Sequence, residues 1–187
     1  MVVGYDFRFG RARAGGLDMI RERLPDVPVA QVDAHEMGGI VSSSRIRELV
    51  SDGAVAEAAR LLGRPHFVRG TVVPGEQRGR KIGYPTANVE TDAELVPPAG
   101  VYAVRARADA GPPRGAVANL GVRPTFGGGA FCIEVHLLDW SGDLYGRELT
   151  VEFLERIRGE RRFADAEALK QQIRQDAAAA RQVHEAG

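Results

Sequence analysis

Residues 63–89 read GRPHFVRGTVVPGEQRGRKIGYPTANV, and along this stretch the chain changes its pattern. Gly63-Arg64-Pro65 is the predicted boundary, because beyond it strands punctuated by glycine and proline replace helical spacing. His66 to Val73 and Thr86 to Glu90 read as strands, followed by Val101 to Ala108, Ala116 to Leu120, Phe131 to Trp140 and Glu148 to Phe153. Short strands with turn signals between them predict a small antiparallel barrel or sandwich, a mainly β unit over residues 64–187. Its last element differs. From Asp165, a predicted N-cap, Leu169, Ile173, Ala177 and Ala180 recur at helical spacing, which predicts an amphipathic helix packed against the strands.

Upstream of this boundary, strand and helix alternate. Met1 to Gly4 reads as a short buried strand, Leu17, Ile20 and Leu24 have helical spacing, and a proline-bounded strand is predicted at Val27 to Val32. Ser42-Ser43-Ser44 offers N-cap hydroxyls to a helix with Ile46, Leu49 and Val50 on its apolar face, closed by Asp52-Gly53. A second helix is predicted from Ala54 to Leu62. The alternation argues for a parallel, doubly wound α/β arrangement, but residues 1–63 hold too few units for a complete one. A two-stranded parallel sheet leaves faces and edges uncovered, so this segment is expected to pack on something else.

Composition excludes several function classes. The 187 residues are 44% hydrophobic, enough for a core, and 25 basic against 25 acidic side chains give no net field toward nucleic acid or an anionic membrane. Cys132 is the only cysteine, which rules out an internal disulfide framework or a cysteine-rich zinc site and fits a reducing compartment. Neither a membrane-spanning apolar run nor a basic-then-hydrophobic leader is present, and a cytoplasmic protein without membrane or nucleic-acid partners is expected. The sequence carries no signal for the oligomeric state.

Within GEQRGRKIGYPTANV, Gly75, Gly79 and Gly83 recur at four-residue steps with Arg78, Arg80 and Lys81 between them. Closely spaced glycines let backbone N–H groups approach phosphate oxygens, and adjacent cations add charge-assisted contacts. The spacing matches neither a Walker loop nor a dinucleotide-binding fingerprint, so a surface hairpin and a phosphate loop both remain open. The PTAN segment favours the second. Pro85 fixes the entry to a strand on which the Thr86 hydroxyl and Asn88 amide share one face, and two neutral oxygen ligands beside a phosphate loop suit magnesium.

The motif GRKIGYPTAN resembles the signature of riboflavin kinases. The blocks GVYAV from Gly100, VANLGVRPTFGG from Val117, EVHLLD from Glu134, DLYG from Asp143 and VEFLERIR from Val151 are similar to that family's other blocks, in order, covering nearly everything from Arg64 onward. The resemblance implies a six-stranded antiparallel Greek-key barrel with a C-terminal helix. It also implies transfer of the γ-phosphoryl of ATP to the terminal ribityl hydroxyl of riboflavin, giving FMN and ADP. Carried over residue by residue, Gly75, Gly79, Lys81, Gly83 and Thr86 would bind ATP, Thr86 and Asn88 would hold Mg²⁺, and Glu134 would be the catalytic base. Asn88, Arg123 and Arg158 would border the flavin. On the residues alone Glu134 reads as a solvated strand residue, with Ile133, Val135 and Leu137 pointing one way and Glu134 and His136 the other. His66, His136 and His184 read as structural or exposed, Cys132 as a small core residue, and Tyr84, Tyr102 and Trp140 as core aromatics rather than flavin platforms.

VVGYDFRFG and VSSSRIREL are similar to the second half of the FMN adenylyltransferase module of bacterial bifunctional FAD synthetases. The resemblance implies a phosphate cradle at a helix N-terminus from Ser42, Ser43, Ser44 and Arg47. The histidines, at 35, 66, 136 and 184, form no His-x-Gly-His pair, so residues 1–63 are expected to be a remnant without adenylyltransferase activity. The alternatives are a bifunctional enzyme completed by a missing N-terminal half and a non-catalytic flavin-binding module.

Overall fold

The computed structural model describes residues 1–34, 41–75, 79, 83–123 and 130–186, with backbone only at 122, 123 and 130. By contact it divides into two compact units, Met1–Ser42 and Ser43–Gly187.

In the first unit, β1 (Val2–Gly4) pairs in parallel with β2 (Ala30–Val32), Val3 opposite Gln31. Helix α1 (Leu17–Arg23) buries Ile20. The strand expected to be buried is only half so, since Val3 is buried while Val2 is 72% exposed. β2 begins at Ala30 rather than Val27, because the Pro28 carbonyl is taken by the N-terminal ammonium and Pro28 itself has no N–H for a ladder.

In the second unit, the strands β3 (His66–Val73), β4 (Ala87–Glu90), β5 (Gly100–Ala108), β6 (Arg114–Arg123), β7 (Ala130–Leu137) and β8 (Glu148–Arg158) close into a barrel of order β3-β4-β7-β6-β5-β8. Every pairing is antiparallel. Closure follows from alternation: Val72, Val89, Val104, Leu120, Ile133, Val135, Val151 and Phe153 all point inward and form one core, which removes every open edge. Tyr102 is wholly buried within it, edge-on to Phe153 at 5.5 Å, with its hydroxyl donating to the Pro98 carbonyl at 2.7 Å. β7 stops at Leu137, short of Trp140, because Asp139 turns the backbone at φ 53°.

Helices pack on parts of the barrel surface. The C-terminal helix α4 (Ala166–Ala186) starts where Asp165 Oδ1 accepts the Ala168 N–H at 2.8 Å, as the sequence predicts. It lays Ala177 and Ala180 on Ala103 and Leu138, with Val117, Ile157 and Val183 around them. Helices α2 (Ser43–Ser51) and α3 (Val55–Leu62) belong by contact to the barrel unit, although the change of pattern in sequence falls at Gly63. The reason is local: Val55 enters the barrel core, and Arg156 of β8 donates to the Asp52 and Ala99 carbonyls at 3.4 and 3.0 Å. Among the described residues no helix is long and apolar enough to cross a membrane.

Candidate functional site

The barrel ladder brings distant residues into one lateral row on its outer surface. Asn88 of β4 lies opposite Glu134 of β7, Glu134 opposite Asn119 of β6, Asn119 opposite Val101 of β5, and Val101 opposite Arg158 of β8. Because Ala87, Val89, Ile133 and Val135 fill the core, Asn88, Cys132, Glu134 and His136 face outward. Asn88 is nevertheless only 6% exposed. The Cys132 thiol donates to Asn88 Oδ1 at 3.7 Å, and Gly75 leaves room on another side, since a Cβ there would overlap the Asn88 carboxamide. A buried amide fixed from two sides presents one orientation to its surroundings.

On the β4 side of the row, Gly79 and Gly83 precede the strand. The Tyr84 N–H donates to the Gly79 carbonyl at 2.8 Å, and any Cβ at Gly79 would overlap the Tyr84 carbonyl. Gly83 sits at φ 88°, a conformation that favours glycine. His136 Nδ1 lies 2.8 Å from the Pro85 carbonyl oxygen, and the Tyr84 ring meets His136 nearly edge-on at 5.5 Å. A carbonyl can only accept, so the proton of that bond belongs to Nδ1. Thr86 then lines a cavity of about 560 Å³ with Pro85, Val72, Leu137, Trp140 and Tyr145. Among the described residues no group of three or more His, Cys, Asp or Glu side chains comes together as a metal cage.

At the other end of the row, Arg158 and Asp176 of α4 form a buried bidentate pair. Nε donates to Oδ1 at 2.9 Å and Nη2 to Oδ2 at 2.7 Å. Gln172 Nε2 donates to the same Asp176 Oδ1 at 2.9 Å, and Arg158 Nη1 donates to the Gly159 carbonyl at 2.9 Å. The pair forms one wall of a second cavity of about 460 Å³, shared with Ile157, Glu160, Arg161 and Gln175. Glu160 reaches back over Gly121, the register partner of Cys132, where a Cβ would overlap its carboxylate. With strands about 4.8 Å apart, three strand steps separate Glu134 from Arg158 by roughly 14 Å along the surface.

The structure therefore sets Asn88 opposite Glu134, with Gly75 against Asn88 and Gly79 beside Thr86, and places Arg158 at the far end of the same row. Lys81, Arg78, Arg80, His35 and the Pro124-Thr125 loop lie outside the described residues, as does the Arg123 side chain. Ser42, Ser43, Ser44 and Arg47 are exposed, the last three within the first turns of α2. Tyr102 is core, as expected, and Trp140 packs against the core while lining the Thr86 cavity. Sequence reasoning passed over Asn119, Asp176 and the contacts of Cys132 and His136. The alternation in FCIEVHLLDW already placed Cys132, Glu134 and His136 on one face, and that was the available signal.

Residues 62–184 match the model of the riboflavin kinase family. A bifunctional riboflavin kinase/FMN adenylyltransferase of Pseudomonas fluorescens is 44% identical over 183 residues, covering 96% of this chain and 58% of the relative. The chain thus spans somewhat over half the length of such relatives. Among solved structures, one described as a macrolide-efflux protein from Streptococcus pneumoniae is similar with a TM-score of 0.86 and 37% identity over 95% of this chain and 58% of that one. The riboflavin kinase of Trypanosoma brucei shares the fold at a TM-score of 0.50 and 23% identity, covering 64% of this chain and 76% of that one.

Proposed function

We propose, from the premise that the chain belongs to the riboflavin kinase family, that its barrel transfers the γ-phosphoryl of ATP to the terminal ribityl hydroxyl of riboflavin, giving FMN and ADP. The observation that carries this reading is the pairing of Asn88 with Glu134, with Thr86, two residues before Asn88, lining one cavity and Arg158, at the far end of the row, lining another. Phosphoryl transfer asks a protein mainly to position two substrates and manage charge, and one substrate is assigned to each cavity. The nucleotide is assigned to the Thr86 side, where Trp140 and Tyr145 offer apolar surface to the base; Gly75, Gly79, Lys81 and Gly83 are assigned to it on family resemblance. Riboflavin is assigned to the other side, with its ribityl chain running along the row toward Glu134.

Glu134 is the proposed base. Its carboxylate takes the proton of the ribityl hydroxyl as that oxygen bonds to the γ-phosphorus, and the bond to the β–γ bridging oxygen breaks to release ADP. Magnesium fits the donors present, the Thr86 hydroxyl and the Asn88 carboxamide oxygen. Both are neutral oxygen donors of the kind that this hard cation takes. Bound there with substrate phosphates, the ion would offset their charge. Arg158 is assigned to the flavin cavity wall, because its Nε, Nη1 and Nη2 already donate to Asp176 and Gly159. Arg123 is assigned to the flavin side on family resemblance alone.

We assign residues 64–187 to the kinase domain and residues 1–63 to the adenylyltransferase-related portion, with Ser42, Ser43, Ser44 and Arg47 as its former phosphate site. The parallel pairing of β1 with β2 around α1 supports that descent. The activity proposed is FMN formation alone, in the cytoplasm.

The test is chromatographic detection of FMN from riboflavin, ATP and magnesium, with and without Thr86→Ala. The reading expects FMN and ADP in equal amounts from the wild type and a marked loss in the variant. No FMN from the wild type overturns it. FAD from a parallel incubation with FMN and ATP would give residues 1–63 a working role as well.

A further inference from the structure

We infer that His136 is a positioning residue for the nucleotide: its Nδ1–H holds the Pro85 carbonyl and thereby sets where Thr86 stands relative to Glu134. This rests on the kinase reading above. Pro85 has no N–H, so the segment entering β4 cannot be fastened by a ladder bond at that position. β4 is short, and its pairing with β7 begins only at Ala87, opposite Val135. Thr86 therefore sits just outside the ladder, on the piece of chain whose placement the sheet does not itself fix.

His136 supplies what the sheet omits. It stands on the outward face of β7, two residues from Glu134, and reaches the Pro85 carbonyl at 2.8 Å. The same ring takes the edge of Tyr84 at 5.5 Å, and the Tyr84 N–H closes the loop on the Gly79 carbonyl at 2.8 Å. One imidazole thus joins the strand that carries Glu134 to the loop that carries Gly79, Tyr84 and Thr86. Because His136 and Glu134 share a rigid strand, the bond measures the loop against the base itself. An error in Thr86 of about 1 Å is the scale at which positioned phosphoryl transfer loses its rate. A merely structural histidine would contribute stability and leave the ratio of kinetic constants unchanged; a positioning one acts on ATP and spares riboflavin.

Two substitutions separate the ring from the donor. His136→Asn places an amide N–H near the position of Nδ1, and His136→Phe keeps an aromatic partner for Tyr84 without any donor. Steady-state FMN formation at varied ATP and varied riboflavin should show the KM for ATP rising about tenfold or more in His136→Phe. The KM for riboflavin should stay within about twofold, and His136→Asn should recover most of the loss. Equal impairment of the two variants, or a KM for ATP unchanged in His136→Phe, overturns the inference while leaving the kinase reading standing. A wild type that forms no FMN overturns both. Independently of any variant, ¹⁵N imidazole spectra of the wild type should show a protonated Nδ1 at His136; a bare Nδ1 cannot donate to a carbonyl and would overturn the inference.

Discussion

Asn88 and Glu134 face each other across the antiparallel pair of β4 and β7, both pointing out of a closed barrel. Directly opposed residues in such a pair have Cβ atoms about 5 Å apart, and the backbone ladder holds that spacing without help from any loop. The proposed base and the proposed cation ligand are thus preorganised by the sheet, while Thr86 stands one step outside the ladder.

Gly75 tests how tightly Asn88 must be held. A methyl group at Gly75 would overlap the Asn88 carboxamide, which is buried and has Cys132 on another side. Gly75→Ala should lower kcat/KM for FMN formation by about 10- to 100-fold, the scale of a displaced positioning group. Steady-state rates check this, and activity within twofold of wild type would show that Asn88 tolerates displacement.

The Arg158–Asp176 pair joins the end of β8 to α4, and its side chains are only 18% and 5% exposed. Asp176→Ala strands a largely buried guanidinium and should cost about 3 kcal/mol, against the fraction of a kcal/mol usual for an exposed pair. Urea unfolding measures the difference. A loss below about 1 kcal/mol would mean that the pair acts as a surface contact.

His66 gives the barrel an acid-side weakness. Burial, stacked at 6.1 Å on Phe153, holds its pKa below the ordinary 6.5; the hydrogen bond to the Leu95 carbonyl opposes that and Arg64 adds to it. The unfolded chain therefore binds this proton near pH 6.5 while the folded chain binds it only at lower pH. Its contribution is complete above the unfolded value and is lost as pH falls through the folded one. Urea midpoints at about pH 7.5 and about pH 5.5 should fall further for wild type than for His66→Gln. Equal falls would remove His66 as the cause.

Much of this architecture was legible in the sequence. Local alternation located all the barrel strands and sent Glu134 outward with His136, and Asp165 marked the start of α4. Register was not legible, because it depends on loop geometry and on bulges such as those of β5 against β8 beside Val101 and Ala103. The adjacency of Asn88 with Glu134 could therefore come only through family resemblance, and that of Arg158 with Asp176 was not available at all. Gly75 read as a phosphate-loop glycine, yet its visible task is to clear space for an amide that follows later in the chain. The helices α2 and α3 read as part of the N-terminal segment because periodicity reports local structure; the burial of Val55 in the barrel core is a tertiary fact.

The most direct measurement is FMN formation by Glu134→Gln, a substitution that keeps shape and removes the proton acceptor, alongside riboflavin and ADP binding by titration. The account predicts a kcat lower by about 10²- to 10⁴-fold with both affinities within a few fold of wild type. Turnover at the wild-type rate in that variant would contradict it.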